Sequence, residues 1–154
     1  MSLNVGDLAP EFRMPGDAGE VALADLKGKT VVLYFYPKDD TSGCTAEAQG
    51  FTAAADDFTK AGAVVVGVSK DTAASHAKFR AKYDLAPLLA SDKDGEVVER
   101  YGAWVEKSMY GRKYMGIDRS TFLIDGKGVI RRIWRKVKVP GHVAEVLNAA
   151  KELG

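Results

Sequence analysis

Two apolar runs dominate the chain. Residues 30–37, TVVLYFYP, form an unbroken β-branched and aromatic stretch, the pattern of a strand buried on both faces, and Pro37 ends it. Residues 63–69, AVVVGVS, predict a second buried strand. Between them Phe51, Ala54, Ala55 and Phe58 fall at i, i+3, i+4 and i+7, which predicts one amphipathic helix ending near Ala61 and Gly62. Residues 71–84, DTAASHAKFRAKYD, predict a further helix with Asp71 as its N-cap. PLLASD reads as a short strand and GEVVERYGA as a short helix. RSTFLID (119–125) and GVIRRIWRKV (128–137) flank Asp125-Gly126-Lys127-Gly128, a strong hairpin signal, and GHVAEVLNAAKEL predicts a closing helix. Residues 1–29, punctuated by Pro10, Pro15, Gly16, Gly19 and Gly28, predict turns and short extended pieces, read together as an N-terminal β-hairpin extension.

The order is β-α-β-α, then a β-hairpin and a helix. Parallel crossovers followed by an antiparallel pair imply an α/β protein with a mixed central sheet and helices on both faces, a thioredoxin-like fold. No repeat or linker divides the sequence, so residues 1–154 are expected to form a single domain. This architecture sets the junction between the first buried strand and its helix at the carboxyl end of a central strand, where open α/β sheets tend to bind ligands.

Composition narrows the function without naming it. The chain is 46% hydrophobic and 28% charged, with a net charge of +1, so no global field recruits nucleic acid or an acidic membrane. The five basic residues of RRIWRKVK alternate with Ile133, Trp134 and Val137, which fits a solvated strand face over a packed one. The longest apolar runs are too short to span a bilayer, and the opening MSLNVGDLAPEF lacks a basic region followed by an apolar run. A single cysteine excludes an intrachain disulfide and any site of several thiolates, and two histidines leave little for zinc. No metal and no cofactor are expected, and the cytoplasm is the expected location.

The one cysteine, Cys44, lies at the strand-to-helix junction in YPKDDTSGCTAEAQGF. A free cysteine is often only a small buried hydrophobe. Here three neighbours argue otherwise. Cys44 falls in the first turn of the predicted helix, where unpaired backbone N–H groups favour a thiolate. Thr41, three residues earlier, can offer a hydroxyl to the sulfur or to a bound oxygen substrate, although Thr41 or Ser42 can equally serve as an N-cap. Pro37 stiffens the turn and can shield the sulfur from water. Together they suggest an activated nucleophile.

The spacing Pro37-x-x-x-Thr41-x-x-Cys44 resembles the peroxiredoxin active-site motif. FYPKDDTSGCTAEA is similar in particular to the Q-type, or bacterioferritin comigratory protein, subfamily. Ordered matches extend along nearly the whole chain: VGDLAPEF, VVLYFYPKDDTSGCT, VVVGVSKD, LLASD and RSTFLIDGKGVIRRIW. The resemblance implies a thiol-dependent peroxidase that reduces hydrogen peroxide or alkyl hydroperoxides. Cys44 would be the peroxidatic cysteine and pass through a sulfenic acid. Thr41 would hydrogen-bond the peroxide, Pro37 would shape and dry the pocket, and Arg119 matches the family's active-site arginine. A fixed guanidinium there would stabilise the thiolate and the charge developing on the leaving oxygen; the plainer alternative is a strand-end arginine paired with a surface carboxylate. Glu47, at i+3 from Cys44, would either orient an arginine or be a solvated first-turn acid.

Two positions depart from the subfamily pattern. Ser42 stands where proline is usual, which alters loop stiffness more than chemistry. Gln49 stands where many members carry a resolving cysteine. Five residues along a helix rise about 7.5 Å, beyond the roughly 7 Å a disulfide spans between Cα atoms, so members with both thiols must unwind to join them. This chain has no second thiol there or on the later helix, which makes it one-cysteine in type. The sulfenic acid would then need an external thiol, with thioredoxin or glutaredoxin and glutathione as candidates, and the resemblance implies a monomer.

A thioredoxin-type disulfide reductase needs Cys-x-x-Cys, and Thr41 occupies the place of its first thiol. A redox sensor or interaction module that stores a Cys44 mixed disulfide is one alternative, and a catalytically idle scaffold is another. His76 and His142 are expected at the surface or as capping residues. EKSMYGRKYMG is expected as a loop near the site, with Tyr110, Tyr114 and Met115 lining a substrate pocket.

Overall fold

The computed structural model describes residues 3–153; Met1, Ser2 and Gly154, which the expected domain includes, lie outside the described residues. In chain order the elements begin with the strands Arg13–Met14 (β1) and Val21–Ala22 (β2), followed by a 3-10 turn over Leu23–Leu26. Thr30–Phe35 (β3), Ser42–Ala53 (α1), Ala55–Lys60 (α2) and Ala63–Ser69 (β4) come next. Then follow Ala73–Tyr83 (α3), Leu88–Ser91 (β5), Glu96–Arg100 (α4), Trp104–Met109 (β6) and Arg112–Ile117 (β7). Ser120–Ile124 (β8), Ile130–Trp134 (β9) and His142–Leu153 (α5) complete the chain.

The central sheet has five strands in the order β5-β4-β3-β8-β9. β3 pairs in parallel with β4, and β4 with β5, whereas β8 runs antiparallel to β3 and β9 to β8. This is the mixed sheet that the element order predicts. Along β3 the side chains alternate between two cores. Val31, Leu33 and Phe35 join Val66, Val68, Phe122 and Ile124 on one face. Val32 and Tyr34 join Ala48, Phe51, Phe58, Phe79, Leu89 and Val146 on the other, beneath α1, α2, α3 and α5. All six residues of β3 are buried, which explains the absence of polar alternation in TVVLYF. Each fully buried Val, Leu or Phe contributes about 1.5–3 kcal/mol of transfer free energy, so this strand anchors both cores.

Four local differences from the sequence expectation have physical causes. The helix after Cys44 is two helices, broken at Ala54, but Phe51 and Phe58 still share one core with ring centroids 5.7 Å apart. The cap of α3 is Thr72, whose Oγ1 accepts from Ser75 N, rather than Asp71. Asp71 is already taken: its carboxylate accepts from the backbone of Asp39 and from Ser69 Oγ. The segment expected as a loop is a two-stranded antiparallel ribbon, β6 with β7, closed by Tyr110 and Gly111. Both turn residues have positive φ (52° and 80°), as a tight hairpin turn requires. Much of the ribbon is solvent-exposed, so it lacks the apolar alternation that marks half-buried strands. Finally, His76 and His142 are both buried rather than on the surface, because each meets a polar partner on another element.

The predicted N-terminal hairpin is present as β1 and β2, whose ladder joins Arg13 to Ala22 and Met14 to Val21. No helix among the described residues is long and apolar enough to cross a membrane.

Candidate active site

The sheet brings two distant segments together. In the β3–β8 register Phe35 lies opposite Ser120, so the exit of β3 adjoins the entry of β8. The exit leads through Pro37–Thr41 into α1; the entry is preceded by Arg119. Cys44 is the third residue of α1 and is only 2% exposed, in the same core as Tyr34, Tyr36 and Ala48.

Arg119 spans the site. Its Nη2 donates to Cys44 Sγ at 3.3 Å and its Nη1 to Glu47 Oε1 at 2.8 Å. Gly43 makes room for this approach, since a Cβ there would lie 3.1 Å from Arg119 Nη2. Arg119 is mostly shielded from water. Burial disfavours its charge, but Cys44 and Glu47 outweigh that and hold its pKa above the ordinary value. Arg119 is therefore a fixed cation aimed at the sulfur.

Glu47 is fully buried, which rules out the solvated first-turn acid. Burial pushes its carboxyl up from 4.5 to about 7, against the opposing pull of Arg119. Among the described residues its Oε2 has no hydrogen-bond partner, so the polar commitment of this side chain there is to the guanidinium. The orienting reading of Glu47 follows from that geometry.

Thr41 occupies the N-cap position of α1 but makes no side-chain cap. Its hydroxyl donates instead to the Lys38 carbonyl at 2.8 Å, within the same turn. The first-turn N–H groups of α1 are thus left without a side-chain acceptor, and they face the region of Cys44 with their partial positive charge. Thr41, Ser42 and Pro37 are exposed, and so is Gln49. Pro37 lies immediately after Tyr36, whose N–H still bonds Val68 O, so proline ends the strand where the ladder ends.

The ribbon contributes a residue that sequence reasoning missed. Lys107 on β6 lies within electrostatic reach of Cys44, Arg119 and Asp118, and burial lowers its pKa. It pairs across the ribbon with Tyr114, so the two share a face, and its stem packs toward Gly116. Met115, opposite Glu106, belongs to the other face, and Tyr110 is 99% exposed at the turn. The site is therefore bordered by Lys107, and of the three residues expected to line it only Tyr114 shares the face of that lysine. A lone lysine in a polar ribbon carries no sequence signal of this placement.

Chemically, a buried sulfur beside a helix N-terminus and a fixed guanidinium is equipped to attack as an anion and to stabilise negative charge on a nearby oxygen. Comparison with known proteins adds to this. The profile of the AhpC/TSA family matches residues 5–133. Peroxiredoxin Bcp of Bacillus subtilis is 47% identical over 154 residues, covering 99% of this chain and 98% of that protein. The solved structure of a cysteine-to-serine mutant of Xylella fastidiosa PrxQ superposes with a TM-score of 0.91 at 38% identity, covering 99% of this chain and 98% of the other. The bacterioferritin comigratory protein of Xanthomonas campestris, described for its alkyl peroxide reduction activity, superposes with a TM-score of 0.87 at 42% identity, over 92% of this chain and 90% of that one.

Proposed function

The chain belongs to the AhpC/TSA family and is a thiol-dependent peroxidase; from that premise we propose that Cys44 is the attacking thiolate and that Arg119, Thr41 and Pro37 complete its site. The observation that carries this reading is the fork of Arg119, with one nitrogen on Cys44 Sγ and the other on Glu47.

The thiolate attacks one peroxide oxygen. An S–O bond forms as the O–O bond breaks, and the departing hydroxide or alkoxide takes a proton to leave as water or alcohol. Arg119 stabilises the charge on sulfur before the attack and on oxygen as it departs. Thr41, with its own proton directed at Lys38, keeps lone pairs to accept a hydrogen bond from the peroxide O–H. Pro37 sets the turn that holds Thr41 over α1. The likeness to the Xanthomonas protein supports alkyl hydroperoxides as well as hydrogen peroxide as substrates.

The product is a Cys44 sulfenic acid. An external thiol displaces its oxygen as water to give a mixed disulfide, and a second thiol releases Cys44; the peroxide gains the two electrons the thiols lose. We assign the external thiol to thioredoxin or to glutaredoxin with glutathione. A thiol that must be re-reduced in every cycle supports a cytoplasmic location. Among the described residues the exposed large hydrophobic side chains are Val5 and Leu8 near the start of the chain and four on the ribbon, which supports a monomer. The single sheet shared by both cores supports reading residues 1–154 as one domain.

The test is peroxide consumption with dithiothreitol as the reductant. Wild type is expected to consume hydrogen peroxide and an alkyl hydroperoxide, and Cys44→Ser to consume neither. Equal slow consumption by both proteins would remove the assignment of Cys44.

A further inference from the structure

The turn that carries Pro37 and Thr41 is bolted to α3. Asp39, in the middle of that turn, is buried, and its carboxylate accepts three hydrogen bonds: from Tyr36 OH at 2.6 Å, from Ser75 Oγ at 2.8 Å and from His76 Nδ1 at 2.7 Å. The other ring nitrogen of His76, Nε2, lies 2.9 Å from the Ala90 carbonyl of β5. A carboxylate and a carbonyl can only accept, so both imidazole nitrogens donate and His76 is an imidazolium. The ring is completely buried, so this is an ion pair inside the protein between the active-site turn and α3. The neighbouring Asp40, in a left-handed conformation at φ 59°, is held to the same helix by Lys82 Nζ at 2.8 Å and Tyr83 OH at 2.6 Å. Neither Asp39 nor His76 touches Cys44, and nothing in the proposed cycle uses them.

We propose that Asp39 and His76 are a positioning pair for the peroxidase reaction: their buried ion pair fixes the Pro37–Thr41 turn against α3 and so sets the Thr41 hydroxyl and the first turn of α1 in reacting geometry. The inference rests on the reading of Cys44 as the attacking thiolate. Its physical logic is pre-organisation, since a misplacement of about 1 Å in a reacting constellation can cost roughly 10²-fold in rate.

The pair is also titratable. Burial opposes the charge on His76, but the hydrogen bond and charge of Asp39, the Ala90 carbonyl and the charge of Asp71 outweigh it and raise its pKa above the ordinary 6.5. The groups facing it are Asp39 and Tyr36 from the end of β3 and the turn, Asp71 from the β4–α3 connection, and Asp17 from the N-terminal hairpin. Arg80, one turn further along α3, is occupied by Asp17. Burial holds the Tyr36 phenol far above its ordinary range, so it remains a donor to Asp39. Raising the pH through the titration of His76 therefore removes the cation and weakens the hold of α3 on the turn.

The experiment combines imidazole ¹⁵N NMR with stopped-flow measurement of Cys44 oxidation by hydrogen peroxide across pH. In wild type, His76 is expected to carry protons on both nitrogens at neutral pH, and the oxidation rate to fall on the alkaline side together with its titration. Asp39→Asn should bring the His76 titration and that alkaline limb to lower pH together and slow oxidation by about tenfold or more at a pH where the variant is folded. Asp39→Glu should restore part of the rate. A merely structural role would lower thermal stability but leave the limb where it is. A folded Asp39→Asn protein with wild-type rate and profile overturns the proposal, and so does a wild-type His76 with one ring proton, a readout that needs no variant. If wild type itself fails to consume peroxide, the assignment of Cys44 fails instead, and the two failures are distinct.

Discussion

Arg119 donates to Cys44 Sγ across 3.3 Å although 75 positions separate the two residues. The contact is a product of topology: β8 runs antiparallel beside β3, so the residue before one strand meets the helix that follows the other. Glu47, one turn along α1 from Cys44, closes the arrangement by holding the second guanidinium nitrogen. A cation held at two points loses little freedom when charge develops beside it, and this is what a pre-organised site requires.

Removing the cation should therefore act on chemistry more than on folding. Arg119→Ala is expected to slow Cys44 oxidation by roughly 10²–10³-fold. Arg119→Lys should recover less than about a tenth of the lost rate, because one ammonium cannot reproduce the planar fork that reaches sulfur and carboxylate together. Stopped-flow oxidation at neutral pH checks both. A lysine variant as fast as wild type would reduce Arg119 to a point charge.

Glu47 carries a pH signature in stability. Its ordinary pKa is 4.5 and burial raises it to about 7 in the folded protein. Over that interval the unfolded chain is ionised while the folded protein keeps the proton, so the contribution of Glu47 to stability falls as pH rises through the window and then levels off. Glu47→Gln, which retains an acceptor for Arg119 but does not titrate, should gain on wild type by roughly 3–5 °C in Tm between about pH 6 and about pH 8. A difference in Tm that stays constant with pH would mean that Glu47 is ionised throughout. The same variant should oxidise more slowly than wild type, since an amide holds the guanidinium less firmly than a carboxylate.

Much of this site is legible in the sequence, and the limits of that legibility are physical. β3 and β4 are readable because strands buried on both faces are unbroken apolar runs. Cys44 is readable because a proline-ended strand followed by a helix places it in a first turn. Arg119 rests on resemblance alone, since no local pattern tells a strand-end arginine what lies across the sheet. The burial of His76 is invisible for the same reason. Its partner Asp39 is 37 positions away, and the helix AASHAKFRAKY reads as polar without it. The ribbon escapes because exposed strands show no alternation and its turn uses Tyr110 where asparagine or aspartate is the usual signal.

The single thiol makes a direct mass prediction. Treatment with one equivalent of hydrogen peroxide should add about 16 Da, one oxygen, and form no intrachain disulfide. Joining two copies would require both Cys44 residues, each only 2% exposed, to open at once, whereas a reductant needs only one to open, so a non-reducing gel should show the monomer band. Adding thioredoxin, or glutaredoxin with glutathione, should return the original mass through a transient mixed disulfide with Cys44. A stable disulfide-linked dimer as the main oxidised product would move the resolving step from an external thiol to a second copy of the chain.

The two histidines should tilt stability in opposite directions. His142 is buried at the start of α5, where its Nε2 meets Thr121 Oγ1 at 2.8 Å. Burial, with Arg119 adding to it, lowers its pKa below the ordinary 6.5, against the raising pull of Glu145. Below about pH 6.5 the unfolded chain takes up a proton that the folded protein resists, so this contribution is present at neutral pH and lost as pH falls through the folded value. For His76 the sign reverses. Its folded pKa is raised, so its contribution is complete below about pH 6.5 and is lost as pH rises through the folded value. His142→Gln, which can keep an acceptor for Thr121 without titrating, should flatten the acid side of the Tm profile and leave the alkaline side unchanged. Asp39→Asn should lower Tm and flatten the alkaline side, because the ion pair lost there in wild type is already gone. It should also steepen the acid side, since a buried His76 without its carboxylate resists its proton as His142 does. Thermal melts of the two variants and wild type between about pH 5 and about pH 9 separate these effects. An acid limb that survives unchanged in His142→Gln would assign it to groups other than this histidine.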